Sequence, residues 1–161
     1  MKKKVLLLLM VFTISTAVFA DHEGFGIGII GGGGWGYPHY GNIGLSLKIP
    51  KVPVFWGFYP TFDGHNFGFG ATGDFYFVDT GIKETLHWFL GVGAFINLSF
   101  WHRGMAASIG VRVPVGLSWH IIKQLELFLD IAPGAGISFS SAGVHGPYFA
   151  GAIELGLRFW V

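Results

Sequence analysis

From Asn42 to the C-terminus, bulky apolar side chains recur at every second position, with glycines, serines and charges between them. The clearest stretch runs from Ala107 to Trp119. Ala107, Ile109, Val111, Val113, Val115, Leu117 and Trp119 form one set; Ser108, Gly110, Arg112, Pro114, Gly116 and Ser118 form the other. A period of two means extended chain whose side chains alternate between two faces. Divided at its turn signals, the pattern predicts eight strands, near residues 24–31, 42–49, 54–59, 66–78, 87–98, 106–120, 125–140 and 148–161. The third, around Phe55-Trp56-Gly57-Phe58, is apolar on both faces and leaves its orientation open.

The charges choose between architectures. Lys48, Asp74, Arg112, Glu126, Asp130, Glu154 and Arg158 fall within predicted strands, and all sit on the glycine-serine face. That outcome has a chance of about one in a hundred if parity carries no meaning. A soluble lipocalin-like barrel shares the period but puts polar residues outside and apolar ones within. A barrel in lipid does the reverse, because an outward Arg near the bilayer middle costs about 2–4 kcal/mol. The expected fold is therefore all-β, an eight-stranded antiparallel up-and-down transmembrane β-barrel. Its lumen holds those seven charges as a network, Arg112 pairing with Glu126 or Asp130 and Arg158 with Glu154, since buried charges need partners. Tyr76, Phe89, Phe95 and Phe128 also point inward, and eight strands leave a lumen that side chains can fill. Pro114 lacks the N–H a ladder needs, so a bulge is expected there.

The turns alternate in the same sense. Breaks at 50–53, 79–86 and 121–124 would lie in the periplasm with the N-terminus, and those at 31–41, 60–65, 99–105 and 141–147 outside. Trp88, Trp119 and Phe159 at one end, and Tyr37, Phe67, Trp101 and Phe149 at the other, read as interfacial girdles.

The N-terminus and the overall charge add a location. Lys2, Lys3 and Lys4 precede a short apolar run that ends in Val18-Phe19-Ala20 before Asp21. This is the pattern of a secretory signal peptide over residues 1–20, leaving 21–161 as one transmembrane domain. The run is shorter than the roughly 20 residues a membrane helix needs. Of ten Lys and Arg, three belong to that segment, leaving seven against nine Asp and Glu, which argues against nucleic acid as a partner. The chain has no cysteine, so no disulfide or cysteine-linked lipid is expected.

Three segments resemble a family of small outer-membrane β-barrels familiar from spirochaetes. They are Leu86-His87-Trp88-Phe89-Leu90-Gly91-Val92-Gly93, Arg112-Val113-Pro114-Val115-Gly116-Leu117-Ser118-Trp119 and Leu125-Glu126-Leu127-Phe128-Leu129-Asp130-Ile131-Ala132-Pro133. The resemblance spans about residues 42–161 and implies an OmpA/OmpX-like barrel with no enzymatic residues. The C-terminal residues Glu154, Gly156, Phe159 and Val161 are similar to the signal read by the barrel assembly machinery, although Val161 stands where an aromatic is usual.

Candidate chemistry is sparse. Gly26-Ile27-Gly28-Ile29-Ile30-Gly31 matches a dinucleotide fingerprint, but more glycine follows instead of a helix, and no Lys-Ser or Lys-Thr completes a phosphate loop. An acyltransferase or protease would have to draw on Ser99, Ser141 and loop histidines, with no ordering third group. His39, His65, His102 and His145 fall one in each predicted external loop and are candidate metal ligands if their rings converge. The function expected is a non-enzymatic outer-membrane protein without cofactor. Its partners are the lipid bilayer and, through loops carrying Trp35, Tyr37, Tyr40, Phe62 and Trp101, an extracellular protein or glycan. A narrow channel for small apolar solutes is the alternative.

Overall fold

The computed structural model describes residues 24–36, 43–63, 66–102 and 104–161. The expected leader, residues 1–20, lies outside them. Among the described residues nine strands form: β1 (Gly26–Trp35), β2 (Ile43–Lys48), β3 (Phe55–Asp63), β4 (Asn66–Lys83), β5 (Leu86–Trp101), β6 (Gly104–Arg112), β7 (Val115–Ile122), β8 (Leu125–Ser140) and β9 (Gly143–Trp160). All pairings are antiparallel, and they run round a ring-like sheet. β1 to β5 pair in sequence, β6 and β7 both lie between β5 and β8, and β9 joins β8 back to β1. Every strand thus finds hydrogen-bond partners on two sides, the condition for burying β-backbone in hydrocarbon.

The eight-stranded barrel expected from the sequence is corrected by this count. The predicted strand 106–120 is two strands, β6 and β7, interrupted at Val113 and Pro114. The cause is the missing N–H of Pro114, which removes a ladder donor. No bulge accompanies the interruption, contrary to expectation. Gly93 opposes Arg112 on one side of the gap and Leu90 opposes Val115 on the other, so the register runs through unchanged. The carbonyl of Pro114 still accepts from the Gly91 N–H at 2.9 Å, and the Val113 N–H donates to Pro133 at 2.8 Å.

Bulges occur elsewhere. Between Tyr76 and Val78 on β4 one extra residue, Phe77, enters the strand opposite β5. Side-chain parity reverses there, so Asp79 comes to the interior after Thr72 and Asp74. Several predicted turns prove to be strand. The glycine run continues β1 to Trp35, pairing with β9 as far as Gly151, and does not form an external loop. β4 and β5 extend through the break expected at 79–86, leaving Glu84 and Thr85 as the turn. At the opposite end β8 and β9 close to a turn at Ser141 and Ala142.

The two faces differ sharply in exposure. Val111 is 65% exposed and its neighbour Arg112 is 3% exposed. On β2, Ile43 and Leu45 point outward while Ser46 and Lys48 are buried. Phe67, Phe69, Phe75 and Phe77 are outward on β4, and Ile153, Leu155, Leu157 and Phe159 on β9. β3 is resolved: Phe55 and Tyr59 face inward, Trp56 and Phe58 outward. Two glycines make room for interior rings. A Cβ on Gly110 would stand 2.3 Å from Phe95 Cζ, and one on Gly156 2.3 Å from Phe128 Cζ. No helix among the described residues is long and apolar enough to cross a membrane, which leaves crossing by strands open.

Candidate functional site

The interior is built from the inward positions of successive strands, which alternation delivers without any loop. Lys48, Asp74, Arg112, Glu126, Asp130, Glu154 and Arg158 are each at most 5% exposed. They divide into layers. In the central one, both Glu154 carboxylate oxygens accept from Arg112, from Nη1 at 3.3 Å and from Nη2 at a closer approach. Tyr59 donates its hydroxyl to Glu154 Oε1 at 2.6 Å. Asp74 Oδ1 lies 3.1 Å from Arg112 Nε, and Asp130 Oδ1 3.9 Å from Arg112 Nη2. One guanidinium therefore faces three carboxylates.

The second layer centres on Arg158. Its Nη1 donates to Glu126 Oε2 at 2.8 Å, and Nε and Nη2 donate to Ser46 Oγ at 3.2 and 3.0 Å. The guanidinium stands 4.7 Å from the Phe55 ring and 4.4 Å from the Phe128 ring, close enough for cation–π attraction. Trp160 Nε1 also donates to Glu126 Oε2, at 2.8 Å. Phe55, Tyr76 and Phe89 stack in series with centroids 4.4 Å apart at each step. Lys48 lies below, its Nζ donating to the carbonyls of Ile49 and Val52 at 3.2 and 2.8 Å.

The ion partners follow the sequence expectation only in part: Arg112 does pair with Asp130, at 3.9 Å, but takes Glu154 and Asp74 more closely, and Arg158 takes Glu126 where Glu154 was expected. The register explains this. Glu126 and Arg158 are directly opposite on β8 and β9, a favourable cross-strand pair. Glu154 is opposite Asp130, another carboxylate, so its cation has to reach across the interior from β6. Tyr59 and Asp79 escaped sequence reasoning. Tyr59 was hidden by the two-faced apolarity of β3, and Asp79 by the bulge that brings it inward. Asp79 Oδ1 lies 3.4 Å from His87 Nδ1, and the His87 and His120 rings are 5.6 Å apart.

Between the two layers is a cavity with room for about one water molecule, lined among others by Ser46, Tyr59, Asp74, Asp130, Glu154 and Arg158. The geometry is suited to filling and stiffening an interior. Removing the hydroxyl in Tyr59→Phe should lower unfolding stability by about 1.5–3 kcal/mol, the range for a hydrogen bond to a charged group. Urea titration in lipid vesicles reads it.

The histidine expectation receives a partial view. His39 and His65 lie outside the described residues; His102 and His145 are exposed at strand ends. Among the described residues no group of three His, Asp or Glu side chains is placed to hold a metal. Tyr37 and Tyr40 also lie outside the described residues, whereas Trp35, Trp101 and Phe149 are exposed. Of the C-terminal signal residues, Glu154 and Gly156 face inward on β9, and Phe159 and Val161 outward.

Comparison with known proteins places this geometry. Neisserial surface protein A has a similar structure, with a TM-score of 0.50 at 12% identity, covering 85% of this chain and 96% of that one. Ail, the attachment invasion locus protein of Yersinia pestis, is also similar, at a TM-score of 0.40 and 16% identity over 86% of this chain and 97% of that one. No curated protein matches the sequence. A family profile described as "Protein of unknown function (DUF3996)" matches residues 19–159. Nearly the whole chain is spanned by that profile, and the protein belongs to this family.

Proposed function

We propose that this chain is a non-enzymatic integral protein of a bacterial outer membrane, exported by its N-terminal segment, with acyl chains against its outward face. One observation carries the reading: the apolar side chains look out and the ionisable ones look in. Among the described residues the exposed set includes Ile43, Phe75, Val92, Ile109, Val111, Ile131, Ile153 and Leu155, spread over strands around the ring. Monomeric soluble proteins rarely expose apolar patches beyond a few hundred Å². Lipid removes the penalty, because the outward face then meets hydrocarbon.

The inward side chains of the two layers, with a cavity between them that has room for about one water molecule, support a filled interior over a conducting one. The anchoring role thus falls to the ring, and contact with other molecules to its outer end. There the exposed Trp35, Trp101 and Phe149 suit a protein or glycan surface, or seating at the lipid headgroups. The neisserial protein is described as a surface protein, in keeping with such a role. Assembly machinery that reads C-terminal strands would act on Glu154, Gly156, Phe159 and Val161.

The test is refolding of the exported chain into lipid vesicles. A folded species that floats with the vesicles, resists added protease and migrates differently on gels before and after boiling is expected. A chain that folds and stays soluble without detergent or lipid would contradict the reading. Conductance above background in planar bilayers would favour the channel instead.

A further inference from the structure

We propose that the end of the ring carrying both chain termini binds anionic phospholipid headgroups through Lys51, Lys83 and Lys123, one in each of the three turns described there. The proposal rests on the outer-membrane reading and adds to it the headgroup chemistry at one leaflet. Outside the leader segment the chain has four lysines, and all four fall at this end. Lys48 is buried and spends its ammonium on backbone carbonyls. The other three are exposed: Lys51 between β2 and β3, Lys83 as the last residue of β4, and Lys123 between β7 and β8. Among the described residues no carboxylate forms an ion pair with any of these three.

The acidic residues do not cancel this charge. Asp74, Asp79, Glu126, Asp130 and Glu154 are buried, which leaves Glu84 as the exposed side-chain carboxylate at this end among the described residues. Each lysine follows an outward isoleucine closely in the chain: Ile49 before Lys51, Ile82 before Lys83 and Ile122 before Lys123, all three exposed. Trp88 and Trp119 also point outward on the neighbouring turns of strand β5 and β7. An apolar group against acyl chains with an ammonium just beyond it sets the charge at headgroup depth, the lysine stem crossing the boundary. Lys51 gives a second, independent sign. Its φ is +65°, in the left-handed region that glycine or asparagine fills at lower cost, so the position is not one that backbone preference would give to lysine. The Val52 N–H donates to the Ile49 carbonyl at 3.2 Å and Lys48 Nζ to the Val52 carbonyl at 2.8 Å, which pins this turn while the Lys51 side chain stays exposed. The strand order separates the three turns round the ring. A protein docking on one flank would meet one or two of the lysines, whereas the lipid annulus meets all three, and lysines near a membrane surface favour anionic lipid.

Electron spin resonance of the refolded chain in phosphatidylcholine vesicles, with a trace of spin-labelled phosphatidylglycerol or spin-labelled phosphatidylcholine, tests this. Lipid touching the ring gives a motionally restricted component. At about 10 mM salt, where screening is weak, that component should favour phosphatidylglycerol about twofold when averaged over both leaflets, since each lysine near an anionic surface contributes about fivefold at its own site. The preference should shrink toward unity at about 1 M salt. It should vanish in the triple variant Lys51→Gln, Lys83→Gln, Lys123→Gln, which changes only exposed side chains and should keep the fold. Equal association of the two lipids with the parent protein overturns the proposal, a result that needs no variant to fold. So does a preference that survives the triple substitution, which would assign the headgroups to the opposite end. Both failures leave the outer-membrane reading standing, because lipid is still restricted at the ring. Absence of any restricted component would overturn that reading together with the proposal.

Discussion

Arg112→Met should be the most damaging single substitution in the interior, costing at least about 3–5 kcal/mol and abolishing refolding into vesicles at neutral pH. The side chain is 3% exposed, and its removal strands Asp74, Asp130 and Glu154 together without a cation. Methionine is close to arginine in length, so lost packing contributes little and the charge effect dominates. Two further results separate that cause from general damage. Acidification neutralises carboxylates, so the folded fraction of Arg112→Met should recover as pH falls, whereas a packing defect would not respond. Adding Glu154→Gln should also restore part of the loss, because Glu154 is the carboxylate that Arg112 grips with two hydrogen bonds. The measurement is the fraction of unboiled protein migrating as the folded species across a pH series.

Val111→Arg should destabilise the lipid-embedded protein by about 2–4 kcal/mol, the cost of an outward Arg near the bilayer midplane. Val111 is 65% exposed, so in a water-soluble protein the same change would stay within about 0.5 kcal/mol. The sign of the solvent is therefore written into one number. Equilibrium urea titration in vesicles gives it, and the same variant in water-rich detergent conditions should lose less. Placing the arginine nearer the ring's end, at Met105, should cost only about 0–1 kcal/mol. Met105 pairs with Phe100 beside the Trp101–Gly104 strand ends, where a long side chain can reach water.

Much of the arrangement could be read from the amino acids alone because alternation is local. Ile43, Leu45 and Leu47 against Gly44, Ser46 and Lys48 state their faces within six residues, and the structure keeps those faces. What resisted reading depends on relations that short segments do not contain. Pro114 announced a disturbance, but whether it inserts a residue or merely drops a hydrogen bond is decided by β5 and β8, which hold the register on both sides. The eight strands expected became nine for that reason. At Phe77 nothing in the sequence marks the bulge, so Asp79 looked like a turn residue although it lies inside.

The pairing of charges was less legible still. Parity identifies which side chains share the interior, but which of them meet depends on how far each strand is staggered round the ring. Arg112 passes over Asp130 to reach Glu154 because β8 and β9 set those two carboxylates side by side. Tyr59 joined the cluster unannounced, since Trp56 and Phe58 gave β3 an equally apolar opposite face.

Collision accessibility of a nitroxide attached in turn at Val111, Ile131 and Leu155 of the vesicle-embedded protein tests the central claim most directly. Lipid contact predicts frequent encounters with dissolved oxygen and few with a water-soluble nickel chelate at all three positions, with the balance shifting toward the chelate at Met105. Chelate encounters at Val111 as frequent as those at Met105 would mean water against the outward face, and the account would be wrong.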